Sequence, residues 1–191
     1  MTPRLRYGLF GLVCLAQIAV PASLVVQHEQ TRAAGTLWKF QTAPVDPNDP
    51  FRGRYVRLSF AAAREYVPFV DSGMIYIKPQ TRMYAELALG PDGYARLVRL
   101  HEERPANGEY LDVFVRDVHY SRGEKADRAP PEVFVRLPFD RYYLPEDRAP
   151  QVEREYADAS RSAQANTYAE VRVRNGHAAL INLVLDGKPV Q

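Results

Sequence analysis

The sequence predicts a mainly β (α+β) protein: one N-terminal transmembrane helix, then a compact, largely antiparallel β domain with one or two short helices. Three observations carry this. Tyr7 to Val26 (YGLFGLVCLAQIAVPASLVV) is an apolar run in which Gln17 is the sole strongly polar side chain. The chain holds 12 Tyr and 8 Phe, and aromatic residues fit the pleated, half-buried surface of a strand. Its 15 Pro and 11 Gly imply many turns.

The 191 residues suffice for one core with an appendage. Apolar residues at 46% and charged residues at 25% exclude global disorder. Net charge is +2, and Arg4 and Arg6 precede the apolar run. Without those two, the 25 basic residues fall to 23, equal to the 23 acidic ones. The rest of the chain therefore lacks the basic surplus of a nucleic-acid binder, and no nucleic-acid partner is expected. Cys14, the single cysteine, lies inside the apolar run. No intrachain disulfide is possible, and no thiol nucleophile can serve the β domain. The apolar residues after Cys14 exclude a lipoprotein signal.

In chain order, residues 1–6 form a cytoplasmic tail and residues 7–26 the membrane span. A helix of that length rises about 30 Å, the thickness of the hydrocarbon core. It also satisfies its backbone internally, as lipid demands. Arginines before the run place the N-terminus in the cytoplasm and the rest on the far side of the inner membrane. A cleaved signal peptide is the competing reading. Pro21 beside the only plausible small-residue site, and the apolar Leu24-Val25-Val26 beyond it, favour a retained anchor. Residues 27–36 read as a polar link or as a helix extension. The β domain spans 37–191.

Within it, strands are expected at 37–41, 54–60, 74–78, 83–89, 94–100, 110–120, 132–137, 169–174 and 177–186. Residues 54–60 (RYVRLSF) alternate, with Tyr55, Arg57 and Ser59 on one face and Val56, Leu58 and Phe60 on the other. Gly90-Pro91-Asp92-Gly93 and Asn175-Gly176 mark hairpins, and Asp186-Gly187 ends the last expected strand. Residues 146–162 are the one expected helix, with Pro150 tolerated near its start.

Pro44 to Phe60 (PVDPNDPFRGRYVRLSF) resembles the hallmark of the GDYXXLXY family. Arg141-Tyr142-Tyr143-Leu144-Pro145-Glu146 and the hairpin from Val171 to Val190 resemble further parts of it. The resemblance implies a bacterial envelope protein with an N-terminal membrane helix and no established activity. It also implies polytopic membrane proteins as companions. Two positions depart from the pattern: its Asp is Arg54 here, and its final Tyr is Phe60. Proton transfer or metal binding by that Asp is not open to this chain.

Asp46, Asp49, Arg52, Gly53, Arg54 and Tyr55 are the candidate binding positions. The motif also reads as a device for entering a strand. Asp46 and Asp49 cap backbone N–H groups in the Pro-rich turn, and Gly53 takes a conformation that side chains resist. On that reading Gly53→Val costs about 1 kcal/mol or more, and an unchanged melting temperature would count against it.

No other chemistry stands out. His28, His101, His119 and His177 show no metal-ligand spacing. Ser59 and Lys78 are a conceivable nucleophile–base pair, but they fall on separate expected strands. No cofactor is implied. The expected function is a tethered module that binds or supports another envelope protein. The alternatives are a peptidase-like envelope hydrolase and a binder of small molecules or glycans.

Overall fold

The computed structural model describes residues 3–43, 55–70, 77–120, 131–145, 147–161 and 166–190. Helix α1, Pro3–Ala34, is 32 residues long, about 48 Å at 1.5 Å per residue. It is long and apolar enough to cross a membrane, and none of its most apolar stretch is buried against the rest of the chain. It runs unbroken through Pro21. Proline is tolerated in such helices because the carbonyl it frees one turn back, here that of Gln17, can be satisfied by neighbours. Residues 27–34 continue the helix, the second of the two forms the sequence allowed.

Strands follow in the order β1 (Thr36–Ala43), β2 (Tyr55–Arg57), β3 (Ser59–Phe60), β4 (Val67–Pro68), β5 (Arg82–Leu89), β6 (Ala95–His101), β7 (Tyr110–His119), β8 (Glu132–Arg136) and β9 (Arg141–Tyr143). Helix α2 (Ala149–Arg161) comes next, then β10 (Tyr168–Arg174), β11 (His177–Leu185) and β12 (Lys188–Pro189). One five-stranded sheet has the order β12-β11-β10-β1-β3, another β4-β8-β7-β5-β6, and β2 pairs with β9 alone. Every ladder is antiparallel, as short connections dictate. The second sheet curls until its edges meet: Phe69 bridges Leu100, and Val70 N donates to Leu100 O at 3.1 Å.

Both sheets feed one core. Phe40, Val171, Val173 and Leu183 from the first join Met83, Leu100, Leu111, Val113, Val115 and Val133 from the second. Phe40, Phe60 and Phe139 pack edge to face at 4.9–6.1 Å, the geometry ring quadrupoles prefer. Helix α2 buries Val152, Tyr156 and Ala159, a stripe at helical spacing, while Glu153, Arg154, Glu155 and Asp158 stay exposed as expected.

Three local expectations change. The run at 54–60 keeps its alternation, with Val56, Leu58 and Phe60 no more than 3% exposed. It divides at Leu58, however, whose N–H goes to Asp140 O at 2.9 Å. Its first half pairs with β9 and its second with β1. At 74–78, the two described residues form no strand, and Ile77 N donates to Tyr120 Oη at 2.9 Å; the other three lie outside the described residues. Asp186-Gly187 closes β11 but also starts β12, with φ of 48° and 77°. Asp-Gly is itself a hairpin turn, so it reverses the chain rather than ending the sheet.

Candidate functional site

Of the expected site residues, Asp46, Asp49, Arg52, Gly53 and Arg54 lie outside the described residues. Tyr55 opens β2, half-buried. Its ring tilts against Tyr143 at 5.7 Å, the partner that antiparallel register sets opposite it. Arg141 Cζ stands 5.0 Å from the Tyr55 centroid. A hydrogen bond to Tyr143, then the charges of Tyr55 and Asp140, raise the Arg141 pKa. The Tyr55 end of the motif is thus packed against β9 by a cation over a ring.

Ser59 Oγ accepts from Arg64 Nε at 3.3 Å, and Lys78 is exposed. No nucleophile–base pair forms there. Of the histidines, His28 and His177 line one cleft, and the other two stand apart. His101 faces Glu86 at 3.4 Å, His119 stacks on Tyr66, and His177 meets Gln27. Among the described residues no three His, Cys, Asp or Glu side chains are placed to hold a metal ion.

What the structure does build is a junction between α1 and the β domain. A cleft of about 230 Å³ is walled by Leu24, Gln27, His28 and Thr31 on one side and by Asp112, Gly176 and His177 on the other. Gln27 Nε2 lies 2.7 Å from His177 Nε2. Thr31, 2% exposed, donates to Gln27 O at 2.9 Å, so the hydroxyl is spent within its own helix. Arg82 pairs with Asp112, whose N–H donates to Gly176 O at 2.9 Å.

The helix end is locked from the same side. Arg172 Nη1 donates to Ala33 O at 3.1 Å and to Gly35 O at 3.4 Å. A cation on the last carbonyls satisfies orphan acceptors and opposes the negative end of the helix dipole. At Gly35 a Cβ would stand 2.5 Å from Thr31 O, 3.0 Å from Val173 O and 3.1 Å from Arg172 Cβ, so a side chain here would force the last helical turn to shift. Arg172→Ala is expected to cost about 1–2 kcal/mol locally. Faster hydrogen exchange at residues 27–35, with β5 and β7 unchanged, would show it.

The GDYXXLXY protein family model matches residues 17–183. The chain belongs to the GDYXXLXY family. No curated protein and no solved structure matches it. The family match begins inside α1, so the matched residues include the second half of the helix and those of the junction. The sequence alone sets the β domain at 37–191. Gln27 and Thr31 read as polar linker residues, and nothing local in the sequence couples them to Asp112 or His177.

A wider groove of about 750 Å³ runs beside α2, between Val152 and Ala159 on the helix and Leu185 and Val190 on the β11–β12 side. Arg148, Glu155, Asp158 and Lys188 rim it.

Proposed function

We propose that this GDYXXLXY protein is a membrane-anchored extracytoplasmic module that binds or supports another envelope protein. The observation that carries the reading is α1: a helix whose most apolar stretch is exposed and whose C-terminal end is hydrogen-bonded to the β domain. An exposed apolar surface that long is stable in lipid and not in water. Arg4 and Arg6 before the run favour a cytoplasmic N-terminus. A tether raises the effective concentration of a partner in the same membrane, so modest contacts suffice.

The module is favoured over a hydrolase on packing. The space between the sheets is filled by Phe40, Phe60 and Phe139, and the Ser59 hydroxyl is engaged by Arg64 rather than by a base. Alkaline phosphatase fused after Gln191 is expected to be active, and a green fluorescent protein fused there dark. The reverse pattern would overturn the sidedness. Crosslinking of the full chain in intact membranes, followed by mass spectrometry, is expected to recover an integral membrane protein. Recovery of that protein by residues 1–36 alone would overturn a role for the β domain.

A further inference from the structure

We propose that the Gln17 face of α1 seats a transmembrane helix of a different membrane protein, one that carries a hydroxyl or carboxamide side chain at mid-bilayer and ends beneath the β domain. The inference rests on the anchor reading above and names the surface that meets the partner. Gln17 stands midway between Tyr7 and Val26, about 14 Å along the helix from each. No side chain of its length reaches water from there. Its amide is exposed and makes no hydrogen bond among the described residues. Pro21, one turn on, has no N–H to offer the Gln17 carbonyl. Ser23 carries the nearest hydroxyl in the helix, and it donates to Val20 O instead, at 2.7 Å. One residue thus presents two carbonyl acceptors and an NH2 donor to hydrocarbon. Lipid cannot satisfy them, and unsatisfied polar groups are costly there. Transmembrane helices bury such groups against one another. Because Gln17 is uncharged, its complement is a neutral donor and acceptor and not an ion.

Helical phase sets the face. Phe10, Gln17, Leu24 and Thr31 recur every two turns and share one side of α1, with Val13 and His28 between them. The outer part of that side is covered: Leu24, His28 and Thr31 look across the cleft at Asp112, Gly176 and His177. The β domain thus overhangs this side from Leu24 onward, about 10 Å beyond Gln17. Short of the overhang, Phe10, Val13 and Gln17 are exposed. The overhang also chooses the occupant. A second copy of this chain, lying parallel on the same face, would run on as helix to its own Ala34, about 25 Å past its Gln17. Packed helix axes are only about 8–10 Å apart, so it would enter the space that the first copy's β domain fills. A helix of another protein that ends at the outer boundary of the bilayer fits below Asp112 and His177 without that collision.

The test puts the photoreactive amino acid p-benzoylphenylalanine at single positions of the full chain in its native membranes. Phe10 and Val13 report the proposed face, and Leu12 and Leu15 the opposite one. Expected from Phe10 and Val13, and not from Leu12 or Leu15, is a covalent adduct to one integral membrane protein other than this chain. Gln17→Leu only makes the helix more apolar, so it leaves insertion intact. It is expected to lower the adduct yield about three- to tenfold, while Gln17→Asn, which keeps the carboxamide, retains most of it. An adduct between two copies of this chain overturns the choice of occupant. Equal yields from both faces, no protein adduct, or an unchanged yield in Gln17→Leu overturns the seat. Extraction with sodium carbonate keeps the two readings apart. Chain that stays in the membrane without a face-specific adduct removes the seat and leaves the anchor standing. Chain released into the supernatant removes both.

Discussion

Tyr156→Ala is expected to lower stability by about 3–5 kcal/mol, the range for emptying a large buried aromatic site. Tyr156 is 2% exposed on the inner face of α2. Its hydroxyl donates to Ala43 O at 3.1 Å and accepts from Ser59 N at 3.2 Å, so one phenol joins the end of β1 to the start of β3. The conservative variant separates ring from hydroxyl. Tyr156→Phe keeps the packing and strands both backbone groups, for about 1–3 kcal/mol. Thermal unfolding of the full chain in detergent, followed by circular dichroism, measures both. Equal melting temperatures for Tyr156→Phe and the native chain would remove the hydroxyl from the account.

The same residue sets a pH dependence. Burial, acting first, raises the phenol pKa above its ordinary 10.0 against the opposing hydrogen bonds from Ser59 and Thr42. Below that ordinary value both folded and unfolded phenols are neutral, and the group's contribution is fully present. As pH rises through it, the unfolded chain loses a proton that the folded chain keeps, so stability falls until the raised folded value is passed. Tyr156→Phe is expected to flatten this alkaline decline. An identical decline in the variant would assign it to other groups.

Gly176→Val is the second large effect, about 3 kcal/mol. Gly176 has φ of 84°, a region costing a side chain about 1–2 kcal/mol and a β-branched one more. A Cβ there would also lie 2.8 Å from Asp112 Cγ and from Tyr110 Cε2, which adds overpacking of about 1–3 kcal/mol. Gly108→Val isolates the first cost, since Gly108 has φ of 88° with nothing within 4 Å of its Cβ position. Gly176→Val is expected to melt clearly below Gly108→Val. Matching melting temperatures would mean that the β10–β11 turn does not press on β7. Because that turn also carries His177, the Gly176 variant should loosen residues 27–34 in hydrogen exchange, and the Gly108 variant should not.

Much of the fold was legible because it is written in local patterns. The long strands β1, β5, β6, β7, β8, β10 and β11 each alternate or are bounded by turn residues, and period and punctuation are properties of a short window. The short strands β4, β9 and β12 were not legible, since two or three residues carry no period. The split of the run at 54–60 was equally hidden: Leu58 breaks step only because Asp140 O is there to receive its N–H. Of the candidate motif only Tyr55 falls among the described residues. The junction was not legible, because Gln27, Asp112, Arg172 and His177 are far apart in the chain and meet only in the fold.

The sequence by itself determined the family, the mainly β class and the single apolar helix, because composition, motif spacing and periodicity need no partner to be read. Only the tertiary structure decided that the helix continues to Ala34 and that its end is hydrogen-bonded to β10 and β11. Those facts depend on hydrogen bonds between residues up to 150 positions apart, such as Gln27 and His177. Pairings at that distance are selected by the closing of the core, and no window of sequence contains both halves.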